Sequence, residues 1–133
     1  MPPFSTEISE FKGSPMLVML CNGQPWGTTY PTDPEFQFGK TKALMILAIR
    51  DLLEEFDRTE GRDAAQIQRE LPNAPGLTRP LEIKGSAGFD APTGHYVEKP
   101  YLKLECGRTS LSLGVTKAHA LLYVWQDIEK FAA

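Results

Sequence analysis

The chain has 133 residues, a formal net charge of −3 and a hydrophobic fraction of 41%. This length fits one domain or two small fused halves, and the apolar content is too high for a disordered chain. The acidic balance disfavours nucleic-acid binding by bulk charge alone, and no apolar run approaches the roughly 20 residues of a membrane-spanning helix. With no secretory leader expected and two cysteines expected as free thiols, we predict a cytoplasmic, non-membrane protein.

The first half predicts four strands followed by a helix. Turn residues separate the first three predicted strands, which are Glu7–Phe11, Met16–Cys21 and Trp26–Tyr30. Phe36-Gln37-Phe38 then alternates apolar and polar residues, which is typical of a strand with one buried face. Gly39 is expected to turn the chain with a positive φ, and Thr41 to cap a helix that runs to about Asp57.

The helix predicted over residues 42–56 is apolar on almost every side as far as Ile49. From Leu52 onwards its apolar residues lie on one side only. A helix that is apolar all round is buried on more than one side. In so small a domain the second contact is expected to be another helix or another chain. We therefore predict a homo-oligomer with Leu44, Ala48 and Leu52 at its interface.

Residues 59–80 are predicted to join the two halves. Asp63 is placed to cap a short helix, Ala64–Leu71, which Pro72 ends. The proline-rich residues that follow are typical of an exposed linker.

The second half again predicts four strands and a helix. The strands are Leu81–Lys84, Tyr96–Lys99, Leu102–Cys106 and Thr109–Leu113. Gly114 and Thr116 then lead into a helix that ends near Phe131 and has its apolar residues on one stripe.

These halves are related by an internal repeat. Phe36–Phe56 aligns without gaps on Leu111–Phe131 at an offset of 75 (111 − 36), and the identical pairs are Gly39/Gly114, Thr41/Thr116, Lys42/Lys117, Ala43/Ala118, Glu54/Glu129 and Phe56/Phe131. Upstream, Pro15–Cys21 parallels Pro100–Cys106. We therefore predict one α+β domain made of two tandem ββββα-like repeats, residues 5–58 and 81–133. Pseudo-twofold symmetry would relate antiparallel sheets packed with two long helices.

No catalytic or metal-binding pattern is evident. Gly39-Lys40-Thr41 ends like a phosphate-binding loop, but Pro34 occupies the position where that loop needs a glycine. The cysteines and histidines lack the paired short spacing of structural zinc sites, and His119 has no nucleophile and acid placed beside it. We expect a non-enzymatic protein without a metal or a cofactor.

Aromatic and basic residues are mixed along the strands and hairpins. Proteins that hold single strands use aromatic side chains for base stacking and cations for the backbone. The residues assigned to this role are Lys12, Trp26, Tyr30, Tyr96, Lys99, Lys103 and Arg108. The alternative is that the aromatic residues belong to the sheet core, since aromatic residues favour strands in any case.

The tandem layout resembles the Whirly-like group of single-stranded nucleic-acid-binding proteins, whose relatives include the Pur-type repeat proteins. Leu111-Ser112-Leu113-Gly114-Val115-Thr116-Lys117-Ala118 is similar to the Whirly segment in which a final strand passes through Val-Thr-Lys-Ala into the last helix. The resemblance implies a partner that is single-stranded DNA or RNA. The alternatives are a homo-oligomeric protein-interaction module using the apolar face of helix 42–56, or a small-molecule binder or enzyme with a pocket between the sheets.

Overall fold

A computed structural model describes residues 4–25, 36–71, 76–77, 79–86 and 100–133 and has an α+β architecture. The first half contains β1 (Phe4–Phe11), β2 (Ser14–Cys21), β3 (Gln24–Pro25), β4 (Gln37–Phe38), α1 (Lys40–Leu47) and α2 (Arg50–Arg58). The second half contains β5 (Gln68–Leu71), β6 (Leu81–Ser86), β7 (Tyr101–Cys106), β8 (Thr109–Gly114), α3 (Val115–Tyr123) and α4 (Trp125–Ala132).

The first sheet is built around β2. β1 pairs with one side of β2 along its whole length, whereas β3 and β4 both pair with the other side, and all three pairings are antiparallel. Two-residue turns join β1 to β2 and β2 to β3. Both residues of each turn, Lys12-Gly13 and Asn22-Gly23, have a positive φ, as type I′ hairpin turns require.

The second sheet has the antiparallel order β5-β6-β7-β8. Its edge strand β5 corrects the sequence prediction, because Ala64–Leu71 is not a helix. Only Ala64–Gln66 forms a single 3₁₀ turn, and Gln68–Leu71 pairs with β6. Ala64, Ile67 and Leu71 have helical spacing, but pairing with β6 gives the strand backbone its hydrogen-bond partners and overrides that preference. The predicted linker therefore supplies a strand.

The strand register supports the internal repeat. In the first sheet Leu17 of β2 lies opposite Phe38 of β4, and in the second sheet Leu102 of β7 lies opposite Leu113 of β8. These are the pairs that the two repeat alignments superpose. A glycine, Gly39 or Gly114, precedes the helix in both halves.

Those two glycines differ from expectation. Their φ angles are −88° and −83°, in the extended region, and they occupy the N-cap positions themselves. Thr41 and Thr116 lie inside the first helical turn, so the predicted positive φ and threonine caps are wrong. The physical reason is that an extended glycine leads directly from the strand into the helix without a reversing turn.

Neither half has the single long helix that was predicted. The helices break at Ile49 and Val124, whose ψ angles are 29° and 25°. These two residues are again 75 positions apart (124 − 49). After the breaks, α1 packs against α4 and α2 packs against α3. A twofold rotation that exchanges the repeats exchanges these two contacts.

One hydrophobic cluster joins both halves, with Phe38 and Phe56 from the first and Leu104 and Ile128 from the second fully buried. The beginning of β1 reaches the helices of the second half, where the Thr6 hydroxyl donates to Asp127 Oδ2 at 3.0 Å. Within the described parts of the chain, no helix has the length and apolarity needed to cross a membrane.

The helix predicted over residues 42–56 is covered by its own chain. Met45 and Ile46 are fully buried, and Leu44 and Leu47 pack partly buried against the core. Of the predicted interface residues, Leu52 is only 6% exposed and Ala48 is exposed. The apolar excess of this predicted helix is thus accounted for by α3, α4 and the sheets, and an oligomer through it stays a prediction.

Candidate nucleic-acid interface

The residues predicted to bind nucleic acid are spread over the molecule. Trp26, Tyr30, Tyr96 and Lys99 lie outside the described residues. Lys12 lies in the turn between β1 and β2, whereas Lys103 and Arg108 belong to the second sheet. The structure therefore does not bring the three described cations together.

Lys103 lies on the outer face of the second sheet, where carboxylates neutralise it. Its Nζ is 3.4 Å from Glu105 Oε1, and Lys84 Nζ is 3.8 Å from Glu82 Oε1 and 3.7 Å from Glu105 Oε2. Strand pairing puts Glu70 on the same face, opposite Glu82. Two lysines thus face three glutamates, so this surface is not the basic face that phosphate binding needs.

The outer face of the first sheet is not basic either. In its described strands β1 contributes Ser5, Glu7, Ser9 and Phe11, and β2 contributes Ser14, Met16, Val18 and Leu20. None of these residues is a lysine or an arginine. Neither described sheet face therefore offers the row of cations that a nucleic-acid backbone follows.

The end of the second sheet differs, because Arg79 lies against the turn that carries Arg108. Arg108 is in the turn between β7 and β8, and a Cβ at the neighbouring Gly107 would lie 2.7 Å from Arg79 Cδ. The Cys106 thiol also donates to the Arg79 carbonyl oxygen at 3.4 Å, which ties the two segments together. Both arginines are exposed, and among the described residues no carboxylate forms an ion pair with either.

Sequence reasoning missed Arg79 because it assigned residues 59–80 to a linker. Arg79 and Cys106, the residue before the turn, are in contact although they are 27 positions apart in the sequence. No local pattern encodes that contact. Arg79 is brought to the turn because β6 begins at Leu81, beside the end of β7.

A cavity of about 500 Å³ lies between the start of β1 and the junction of α3 with α4. Arg50 lines it together with Phe4, Trp125 and Asp127. The Arg50 guanidinium lies 5.0 Å from the Trp125 ring centroid, and its Nε donates to Glu54 at 2.8 Å. The described lining contains no histidine or cysteine.

His119 and Asp57 form a further polar contact, at 3.0 Å between Nδ1 and Oδ2, which links α3 to α2. The Phe4 ring meets the imidazole edge-on at 5.9 Å between centroids. This arrangement orients a surface histidine at the junction between the repeats. Across the described ranges, no cluster of three or more histidine, cysteine, aspartate or glutamate side chains suits a metal ion.

No family model, curated protein or solved structure matches this chain. The resemblance to the Whirly-like group therefore stays a prediction made from the residues quoted for it.

Proposed function

We propose that this chain binds single-stranded nucleic acid, with Arg79 and Arg108 at the end of the second sheet contacting the phosphates. The observation that supports this function best is the pair of exposed arginines without a described carboxylate partner, in a chain of net charge −3. A guanidinium presents several donors in a fixed plane and suits bidentate contacts with phosphate oxygens.

The proposal moves the phosphate contacts away from the sheet faces. Lys103 was assigned to phosphate, but its ammonium group already lies beside Glu105. A strand of nucleic acid placed over that face would meet three carboxylates, and it would have to separate the existing ion pairs. At the end of the sheet, binding would separate no ion pair of Arg79 or Arg108 with a described residue.

The arrangement of the repeats also supports the proposal. Two four-stranded units, each followed by helices, are the layout that the resemblance implies for single-strand binders. Stacking of bases on Trp26, Tyr30 and Tyr96 remains part of the proposed function. Because fold alone does not determine function, the arginine pair is the part to test first.

Fluorescence anisotropy with labelled single-stranded DNA and RNA at low salt tests the proposal. Replacing Arg79 and Arg108 together by alanine should weaken binding and lower the slope of log affinity against log salt by about 1.4, since each phosphate contact contributes about 0.7. The matched control replaces Lys84 and Lys103 by alanine. It removes the same formal charge, but those lysines are already neutralised, so it should change affinity much less.

Two results would contradict the proposal. One is the absence of binding to any single strand at low salt by a chain confirmed to be folded. The other is an equal loss of affinity in the arginine and lysine double variants, which would indicate a general charge effect. A matching duplex oligonucleotide distinguishes single-strand binding from attraction to any polyanion.

A further inference from the structure

The outer edge of β1 is unpaired in the described structure. β1 pairs with β2 in the way that β6 pairs with β7, so β1 and β6 are equivalent strands of the two repeats. In the second sheet β5 covers the other side of β6, but no described strand covers the other side of β1. The internal repeat therefore shows what this edge lacks, which is one antiparallel strand.

Two apolar side chains are exposed on this same strand. Ile8 is 63% exposed and Phe11 is 57% exposed, the highest values for large apolar residues in the described chain. Natural edge strands are usually blunted by proline, by a bulge or by a covering element. β1 contains no proline, and its register with β2 runs through all eight pairs without a bulge. The charged residues of β1 are Glu7 and Glu10.

We propose that β1 pairs antiparallel with β1 of a second copy of this chain about a twofold axis. The two-residue turn after Phe11 makes Phe11 and Ser14 a hydrogen-bonded pair, because this is how two-residue hairpins close. Every second residue of β1 from Phe11 therefore directs its backbone groups towards β2. Thr6, Ile8 and Glu10 direct theirs outwards, to the second copy.

Side chains select the register of this pairing. With the axis at Ile8, each Ile8 lies opposite its counterpart, Glu7 lies opposite Ser9, and Thr6 lies opposite Glu10. A shift that places Thr6 opposite Ile8 would instead put Glu7 opposite Glu7, and like charges directly across a sheet are destabilising. The register at Ile8 places the two exposed Ile8 side chains opposite each other and opposes no like charges. This self-complementarity favours a second copy over an unrelated strand.

Sedimentation equilibrium of the full chain and of Ile8→Lys tests the proposal. The wild-type chain should dimerise, and the lysine should raise the dimer dissociation constant by about tenfold or more, because it places two cations opposite each other at the axis. Tyr101→Lys is the matched control, since Tyr101 is 36% exposed but lies on β7 of the second sheet. Circular dichroism confirms that both variants fold.

Oxidative cross-linking tests the register separately. Glu7 and Ser9 would form a pair without mutual hydrogen bonds, in which the Cβ atoms are closest and a disulfide fits best. A mixture of Glu7→Cys and Ser9→Cys chains should therefore cross-link more than either variant alone. The wild-type chain controls for its free thiols, Cys21 and Cys106.

The outcomes either support or overturn the pairing. A wild-type chain that stays monomeric throughout its soluble range overturns it, as does a dimer that is unaffected by Ile8→Lys. Cross-linking of the mixture no greater than that of the single variants overturns the register at Ile8. None of these experiments measures nucleic-acid binding, so the pairing of β1 can fail or hold independently of the function proposed for Arg79 and Arg108.

Discussion

At the scale of single residues, glycines in similar sequence contexts have different structural roles. The repeated glycines Gly39 and Gly114 have φ angles that any residue can adopt, and a Cβ there would lie no closer than 3.6 Å to a neighbouring atom. Gly85 on β6 is not part of the aligned repeat. A Cβ at Gly85 would lie 1.8 Å from the Ala64 carbonyl oxygen and 2.8 Å from that of Ile67.

We predict that Gly85→Ala lowers the free energy of unfolding by about 3 kcal/mol or more, because backbone atoms rather than flexible side chains block the methyl group. Gly114→Ala is the matched control and should cost less than about 1 kcal/mol, the effect of a weaker N-cap. Urea denaturation of both variants checks this. Equal losses in the two variants would show that the 3₁₀ turn moves away from β6 at little cost.

The residues of the candidate site were only partly predictable from the sequence. Arg108 is recognisable as a cation in a hairpin turn. One carboxylate beside Lys103 was predictable, since alternation along β7 puts Glu105 on the same face of the sheet as Lys103. Glu82 and Lys84 join that network only through the register between β6 and β7, which depends on contacts distant in sequence. The position of Arg79 beside the turn depends entirely on contacts distant in sequence.

At the scale of elements, local patterns predicted the strands β1, β2, β4, β6, β7 and β8 and the presence of helices in both halves. They failed where packing decides the conformation. The strand β5 was predicted as helix, and the helix breaks at Ile49 and Val124 were missed because neither position has a proline or a glycine. The two parts of each helix pack against different partners, and those contacts are distant in sequence.

The aligned phenylalanines at the helix ends, Phe56 and Phe131, differ in burial and so allow a comparison of the two repeats. Phe56 in α2 is fully buried, whereas the aligned Phe131 in α4 is only partly buried. We predict that Phe56→Ala lowers the free energy of unfolding by about 3–5 kcal/mol and Phe131→Ala by about 1–2 kcal/mol. Chemical denaturation measures both. A larger loss at Phe131 would mean that the core is centred on the second repeat.

At the scale of the whole molecule, the two repeats cover each other. The first strand of repeat one contacts helices of repeat two through Phe4 and Thr6, and the helix pairs cross from one repeat to the other. The cluster of buried side chains runs through both halves without interruption. Neither repeat can bury its own helices fully, since the partner of each helix lies in the other repeat.

We therefore predict that the two repeats unfold together in one cooperative transition. Urea unfolding followed by far-UV circular dichroism, which reports both halves, should give the same free energy of unfolding as hydrogen exchange of the most protected amides in β2 and in β7. Met19 is fully buried in the first sheet, so Met19→Ala should lower the protection of amides in both sheets by the same free energy. Gly114→Ala serves as a control that leaves both sheets nearly unchanged. If Met19→Ala weakened only the first sheet, the repeats would be separate folding units that are merely in contact. The helix pairs would then contribute far less to stability than their burial indicates.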